Sequence, residues 1–301
     1  MAAVGSLRVV SLLPSTTEIL FAIGAGDDVV GVTFECDFPE EARTRRIVSN
    51  TTLPHGLSPA EIDTIVKQRM AAGEDLYSLD EGALRELDAD LVVTQDLCAV
   101  CAVDVANVDE ALRHLECRAE VLTIDPMTLE AVLDSINVLG RATGQEAAAG
   151  RLVASLRVRL AAVASAVGGR TRPRIAVLEW TDPLFCGGHW VPDLVEAAGA
   201  TSVIGAAGGR SYEITMDDVT AAQPDIVVVS PCGFRLDGAA KLAADLVATG
   251  TVPSHAQVWA VDADAMFVRP GPRLVDGVET LASIAFPGVV VMPEGGATRI
   301  Q

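Results

Sequence analysis

The chain has 301 residues, half of them hydrophobic, and carries 41 acidic against 22 basic side chains for a formal net charge of −19. That charge argues against nucleic acid or an anionic membrane surface as partner, and no apolar run reaches the ~18 residues needed to span a bilayer. Aromatic residues make up only 4%, so any stacking surface for a ligand rests on few side chains. The length exceeds one average domain, and two are expected. Strand-like residues begin by Leu7, leaving no room for the charged, apolar and cleavage regions of a secretory leader. The expected location is therefore the cytoplasm, where the six cysteines stay reduced.

In chain order, Leu7–Leu13 reads as a strand, and Pro14-Ser15-Thr16-Thr17-Glu18 opens a helix through Ile23 with hydroxyls available as caps. Val29–Thr33 is a strand leading to Glu35-Cys36-Asp37-Phe38-Pro39. Ser58-Pro-Ala-Glu61 matches a capping box and starts a helix to about Ala72. Leu79–Leu87 is a helix feeding a buried strand, Leu91–Thr94, which runs into Gln95 and then Cys98-Ala-Val-Cys101. Ala106–Leu115 is helical and Glu120–Ile124 a short strand. Strands alternating with helices imply parallel βαβ units.

Thr128 to Val167 shows helical spacing without a proline, long enough for roughly 60 Å of helix. Gly140 and Gly144 weaken its centre, where it bends or breaks. The strand pattern then restarts at Arg174–Glu179. A Gly-rich loop from Trp180 to Trp190 holds Cys186 and His189, and a helix spans Pro192–Ala198. Thr215–Ala222 is a helix, Ile226–Ser230 and Val258–Val261 are strands, and Arg269-Pro-Gly-Pro-Arg273 precedes a last helix, Leu274–Ile284. The tail after Pro287 is Gly-rich, carries no regular pattern and is expected to be partly disordered. Leu84–Val93 and Val219–Val228 repeat one helix-into-strand unit, which suggests a pseudo-symmetric pair of α/β lobes.

These stretches resemble the cobalamin- and siderophore-type substrate-binding proteins of ABC importers, with most similarity to the cobalamin-binding members. The resemblance is carried by Val9-Val-Ser-Leu-Leu-Pro-Ser-Thr-Thr-Glu18, Gly24-Ala-Gly-Asp-Asp-Val-Val-Gly-Val-Thr33, Cys36-Asp-Phe-Pro39, Asp90-Leu-Val-Val, Leu139-Gly-Arg-Ala-Thr-Gly144, Trp180–Ala198 and Met266–Leu281. It covers nearly the whole chain. It implies two Rossmann-like lobes with parallel sheets, residues 1–127 and 169–301, joined by one long helix over 128–168, with a ligand cleft between lobes. It also implies a bulky metal chelate as ligand. The apparent lack of a leader and the cysteines are this chain's departures from the pattern.

Two readings of the chemistry follow. In the first, the chain is a soluble carrier of cobalamin or another corrinoid, serving an ABC permease or a cytoplasmic cobalamin-handling protein. Ligands of open α/β sheets sit at the carboxyl ends of strands. That places Ser15, Thr16, Thr17, Cys36, Gln95 and Cys98 on one side of the ligand and Trp180, His189, Cys232 and Arg269 on the other. Trp190 and Phe267 offer further apolar contact, and Arg273 a second guanidinium. In the second reading, Cys36, Cys98 and Cys101, with Cys186, His189 or Cys232, hold Zn²⁺ or an Fe–S cluster for redox or metal handling. Cys117, just ahead of a strand, reads as a core or surface residue without a chemical role. A scaffold acting through its outer surfaces is a third possibility. No Walker A, Gly-x-Gly-x-x-Gly, Gly-x-Ser-x-Gly or His-Glu-x-x-His motif occurs, so the motifs give enzymatic activity no support.

Overall fold

The computed structural model describes residues 7–54, 56–72, 74, 76–95 and 119–301. The chain divides into two units. One comprises residues 1–125 and 134–153, the other 126–133 and 154–301.

The first unit is built on a six-stranded sheet: β1 (Val9–Ser11), β2 (Val29–Thr33), β3 (Arg46–Thr51), β4 (Tyr77–Leu79), β5 (Leu91–Thr94) and β6 (Glu120–Thr123). The order is β4-β3-β2-β1-β5-β6. Every pairing is parallel except β3 with β4. β1 and β5 are buried along their whole length, as central parallel strands covered on both faces must be. Helix α1 (Pro14–Ala22) follows β1, and α2 (Pro59–Ala72) and α3 (Glu81–Leu87) flank β4 in sequence. The capping box at the start of α2 forms. Ser58 N–H donates to Glu61 Oε2 at 2.8 Å, and Glu61 N–H reaches Ser58 Oγ at 3.4 Å. β3 and β4 were not visible in the sequence. β3 is short of apolar residues, and β4 is only three residues long, ending at Leu79, where the sequence predicts the start of the helix.

The second unit carries β7 (Arg174–Thr181), β8 (Leu184–Cys186), β9 (Thr201–Ser202), β10 (Ile226–Val229), β11 (Gln257–Val261) and β12 (Ala297–Arg299). The order is β12-β11-β10-β7-β8, with β9 also beside β7. β7, β10 and β11 are parallel, while β8 and β12 are antiparallel edges. The tail that showed no pattern thus closes the sheet, and Ile300 packs on the core. All four residues of β10 are buried, each such aliphatic side chain stabilising the fold by about 1.5–3 kcal/mol.

The helical stretch after β6 breaks where its glycines allowed. It forms α4 (Leu129–Ala142) and the 22-residue α5 (Glu146–Val167). Gly144 has φ +68°, and the main chain closes a Schellman turn. Gln145 N–H donates to Gly140 C=O at 2.7 Å and Gly144 N–H to Arg141 C=O at 3.4 Å. The helices then pack closely, since a Cβ on Gly140 would lie 2.5 Å from the Ala149 Cβ. α5 buries Ala149, Val153, Leu156, Val163 and Val167, a spacing of three and four that keeps them on one face.

The internal repeat goes deeper than the helix-into-strand echo. Arg8 N–H donates to Asp90 Oδ2 at 2.9 Å, and Arg174 N–H to Asp225 Oδ2 at 2.8 Å. Arg8 Nε caps the Leu87 carbonyl and Arg174 Nε the Gln223 carbonyl. Each clasp fixes the turn into a central strand, β5 or β10, and registers it against β1 or β7.

Replacing Gly144 with alanine should lower stability by about 1 kcal/mol, because a left-handed backbone is costly for any residue with a Cβ. The urea midpoint measures this. An unchanged midpoint would show that the glycine does not hold the helix break.

Candidate functional site

An open α/β sheet offers its ligand crevice at the carboxyl ends of neighbouring strands whose connections leave in opposite directions. In the first unit the chain runs from β1 to β2 on one side and from β5 to β6 on the other. The ends of β1 and β5 lead into Leu12–Thr17 and Gln95. In the second unit β9 lies on one side of β7, while β10 and β11 lie on the other. There Trp180 is the last residue but one of β7, and the end of β10 leads into the loop 230–234.

At the first of these ends, the hydroxyls turn inward. The N-cap of α1 is Leu13, without a side-chain cap. Thr16 and Thr17 Oγ1 instead donate back to the Leu13 carbonyl at 3.1 and 3.0 Å. Ser11 Oγ lies 2.7 Å from Thr16 Oγ1, and Thr17 Oγ1 lies 3.0 Å from Cys36 Sγ. Ser15, Thr16, Thr17 and Cys36 are all buried, as is Gln95 at the end of β5. The network locks the β1–α1 turn to the loop after β2. The hydroxyls of Ser11, Thr16 and Thr17 and the Cys36 thiol are spent on one another and on the Leu13 carbonyl rather than held out as donors. Ser11, which the sequence reading passed over, is the centre of this network.

At the second end, the register of the β7–β8 hairpin pairs Trp180 with Phe185, which puts both side chains on one face. Phe234 meets Trp180 edge-on, with ring centroids 5.9 Å apart. The Trp180 indole N–H donates to the Asp182 carbonyl at 3.1 Å. Cys232, exposed and outside any disulfide, is held in the same loop by its N–H, which donates to the Glu179 carbonyl at 3.2 Å. Asp264 N–H donates to the Phe234 carbonyl at 3.1 Å. The Asp264 carboxylate in turn accepts from Arg269 at 2.8 Å, with both side chains largely buried. Phe185, Phe234, Tyr212, Asp264 and Glu179 were missed in the sequence. The signal for Phe234 was its place in the loop after a buried strand, the same logic that selected Cys232. Tyr212 is half exposed and its carbonyl pairs with Cys186 N–H.

β8 runs antiparallel to β7 and so carries its cysteine away from that end. Cys186 sits opposite Leu178, fully buried in the apolar core. Burial, with a smaller push from the Glu179 charge, raises its thiol pKa, so a thiolate ligand is disfavoured there. His189 lies three residues further on with φ 51°, its N–H and C=O bound to Gly209 and Gly208. Burial, then the Arg210 charge, holds its imidazole below the usual pKa and hence neutral. Trp190 and Phe267 are interior residues joined by an indole N–H to carbonyl bond of 2.7 Å. Arg273 is the N-cap residue of the helix Leu274–Ala285, without a side-chain cap bond. Cys98, Cys101 and Cys117 lie outside the described residues. Among the described residues, no three His, Cys, Asp or Glu side chains gather around a metal position. There the zinc and Fe–S reading finds no support.

Residues 9–253 match the family described as periplasmic binding protein. The chain belongs to the periplasmic binding protein family. Among curated relatives, the uncharacterized ABC transporter substrate-binding lipoprotein YvrC of Bacillus subtilis is 26% identical, covering 93% of this chain and 80% of its own. The cobalamin-binding protein of Halobacterium salinarum is 27% identical, over 92% of this chain and 68% of its own. Among solved structures, a periplasmic heme binding protein from Pseudomonas aeruginosa superposes with a TM-score of 0.70 at 20% identity, covering 97% of each chain. The vitamin B12 binding protein BtuF of Vibrio cholerae gives 0.62 at 19%, covering 92% of this chain and 95% of that one. These structures establish the fold, two sheet-containing α/β units.

Brief alkylation followed by peptide mapping should label Cys232 and spare Cys36 and Cys186, because reactivity follows exposed thiolate. Equal labelling of all three would contradict the burial described. His189 makes stability depend on pH. The unfolded chain binds its proton near 6.5, before the folded one does. Its contribution is therefore full above that pH and lost as pH falls through it. His189→Asn tolerates the left-handed backbone and should flatten the fall in urea midpoint between about pH 7.5 and pH 5.5. Parallel slopes for both proteins would contradict this.

Proposed function

We propose that the chain is a substrate-binding protein for a corrinoid, with cobalamin the first candidate, and that it delivers this cargo to an ABC permease. The observation that carries the reading is the aromatic edge of the second unit, Trp180, Phe185 and Phe234, beside the Asp264–Arg269 pair. A macrocycle needs an apolar face of this kind to bury its ring, and the pair adds selectivity. Its guanidinium donates and its carboxylate accepts, as a primary amide requires. A ligand rimmed with carboxylates would meet the Asp264 charge, and part of the Arg269 charge is already neutralised. A corrinoid rimmed with amides suits such a pair better than a haem with its two carboxylates.

Relatives named as cobalamin-binding and vitamin B12-binding proteins support the same class of cargo. The Bacillus relative, named as an ABC transporter substrate-binding lipoprotein, supports the permease as recipient. The chelate brings its own metal, so a protein metal site is not needed.

Titration with cyanocobalamin should quench tryptophan emission and raise the melting temperature, and haemin should bind more weakly. Trp180→Ala should weaken cyanocobalamin binding by about tenfold or more, the usual effect of removing a central aromatic contact. Asp264→Asn should narrow the preference for cyanocobalamin over haemin. A wild-type protein that prefers haemin, or that ignores both at high micromolar concentration, would overturn the reading.

A further inference from the structure

The contacts around the second unit's aromatic edge form a closed ring. Trp180 packs on Phe234, and the Phe234 carbonyl accepts from Asp264 N–H. Asp264 opens into the short helix Ala263–Met266, which leads to Phe267. The Phe267 carbonyl accepts the Trp190 indole N–H. Trp190 ends the turn Gly187–Trp190, and Gly188 N–H of that turn donates to Glu179 Oε1 at 3.1 Å. Glu179 is the chain neighbour of Trp180, so the ring returns to its start.

One link of this ring is a carboxylate side chain. Gly188 cannot supply a substitute of its own, since a Cβ there would lie 2.2 Å from the Ser211 nitrogen. The Gly188 N–H therefore takes its acceptor from Glu179, while other main-chain bonds tie the turn to Val177 and Gly209. Glu179 also holds the loop 230–234 through its main chain, by the Cys232 N–H. Glu179 thus joins the turn, the β7–β8 hairpin and the loop after β10.

We infer that Glu179 is a positioning residue for the ligand edge: its carboxylate closes the ring that fixes the angle of Trp180 against Phe234. It acts through Trp180 and need not touch the ligand. The inference rests on the ligand edge proposed above, and it applies whatever chelate is bound there.

The test uses the full chain with Glu179→Ala and Glu179→Gln, the second of which keeps an oxygen acceptor for Gly188. In ligand-free protein, near-ultraviolet circular dichroism reads the tryptophan environment. Glu179→Ala should change that spectrum while the protein still unfolds cooperatively, and Glu179→Gln should restore it. Titrated with cyanocobalamin, Glu179→Ala should bind about tenfold more weakly than wild type, as expected for one lost hydrogen bond to a charged acceptor. Glu179→Gln should stay within about threefold of wild type. An alanine variant with wild-type spectrum and affinity, or a glutamine variant as impaired as alanine, would overturn the role. A wild-type protein that binds no cyanocobalamin would instead overturn the function proposed, and the ligand-free spectra would still decide whether the ring depends on Glu179.

Discussion

The register of β7 against β8 and β10 is the constraint on which the candidate site depends. Against β10 it pairs Leu178 with Val229, and against β8 it pairs Trp180 with Phe185. A slip of one residue would send every side chain of the strand to the opposite face. Trp180 and Phe185 would then leave the face on which Trp180 meets Phe234, and Ile175 to Leu178 would each lose the neighbours they pack against. Burial of the strand interior is what prevents the slip, because Ile175 to Leu178 are all at most 2% exposed. The site is thus a by-product of core packing: the core sets the register, and the register sets which residues emerge at the strand end.

The two units solve this problem in the same way and then diverge. Both clasp an arginine main-chain N–H with an aspartate ahead of the central strand, Asp90 or Asp225. Both place a buried polar residue at the end of that strand, Gln95 or Ser230. Beyond the strand ends the chemistry differs. The first unit closes its turn with a web of hydroxyls and a thiol, which rigidifies the β1–α1 corner at the expense of free donors. The second leaves aromatic rings and an ion pair at the edge. Among the described residues, Ser230 Oγ is buried there without a hydrogen-bond partner.

Much of this was legible in the sequence, for physical reasons. The central strands announced themselves as short runs of Val, Ile and Leu bounded by Asp and by turn residues, and the capping box at Ser58–Glu61 was readable from spacing alone. What escaped was edge structure. β8 is three residues long, and β12 follows a Gly-rich stretch, so neither shows a period. The helix Leu236–Ala248 begins at Arg235 without a side-chain cap, and so carried no start signal. At the candidate site, the strand-end rule singled out Trp180, Cys232 and Arg269, which lie near the edge of the second unit. It could not tell that Cys186 would be turned into the core, because that depends on β8 folding back along β7. Nor could it show that Thr16 and Thr17 would face Leu13 rather than solvent, since a hydroxyl's partner is a matter of local geometry. The cysteines drew attention as a metal set. Those described are a core residue, a network residue and an exposed one.

The central claim is that Trp180 forms the apolar face for an amide-rimmed chelate. Indole N–H resonances of ¹⁵N-tryptophan-labelled protein test it directly, because the chain has only three tryptophans, Trp180, Trp190 and Trp259. On titration with cyanocobalamin, the Trp180 resonance should shift and saturate, while that of Trp259, bonded to Gln257 within β11, stays in place. A Trp180 resonance unmoved at saturating cyanocobalamin would contradict the account.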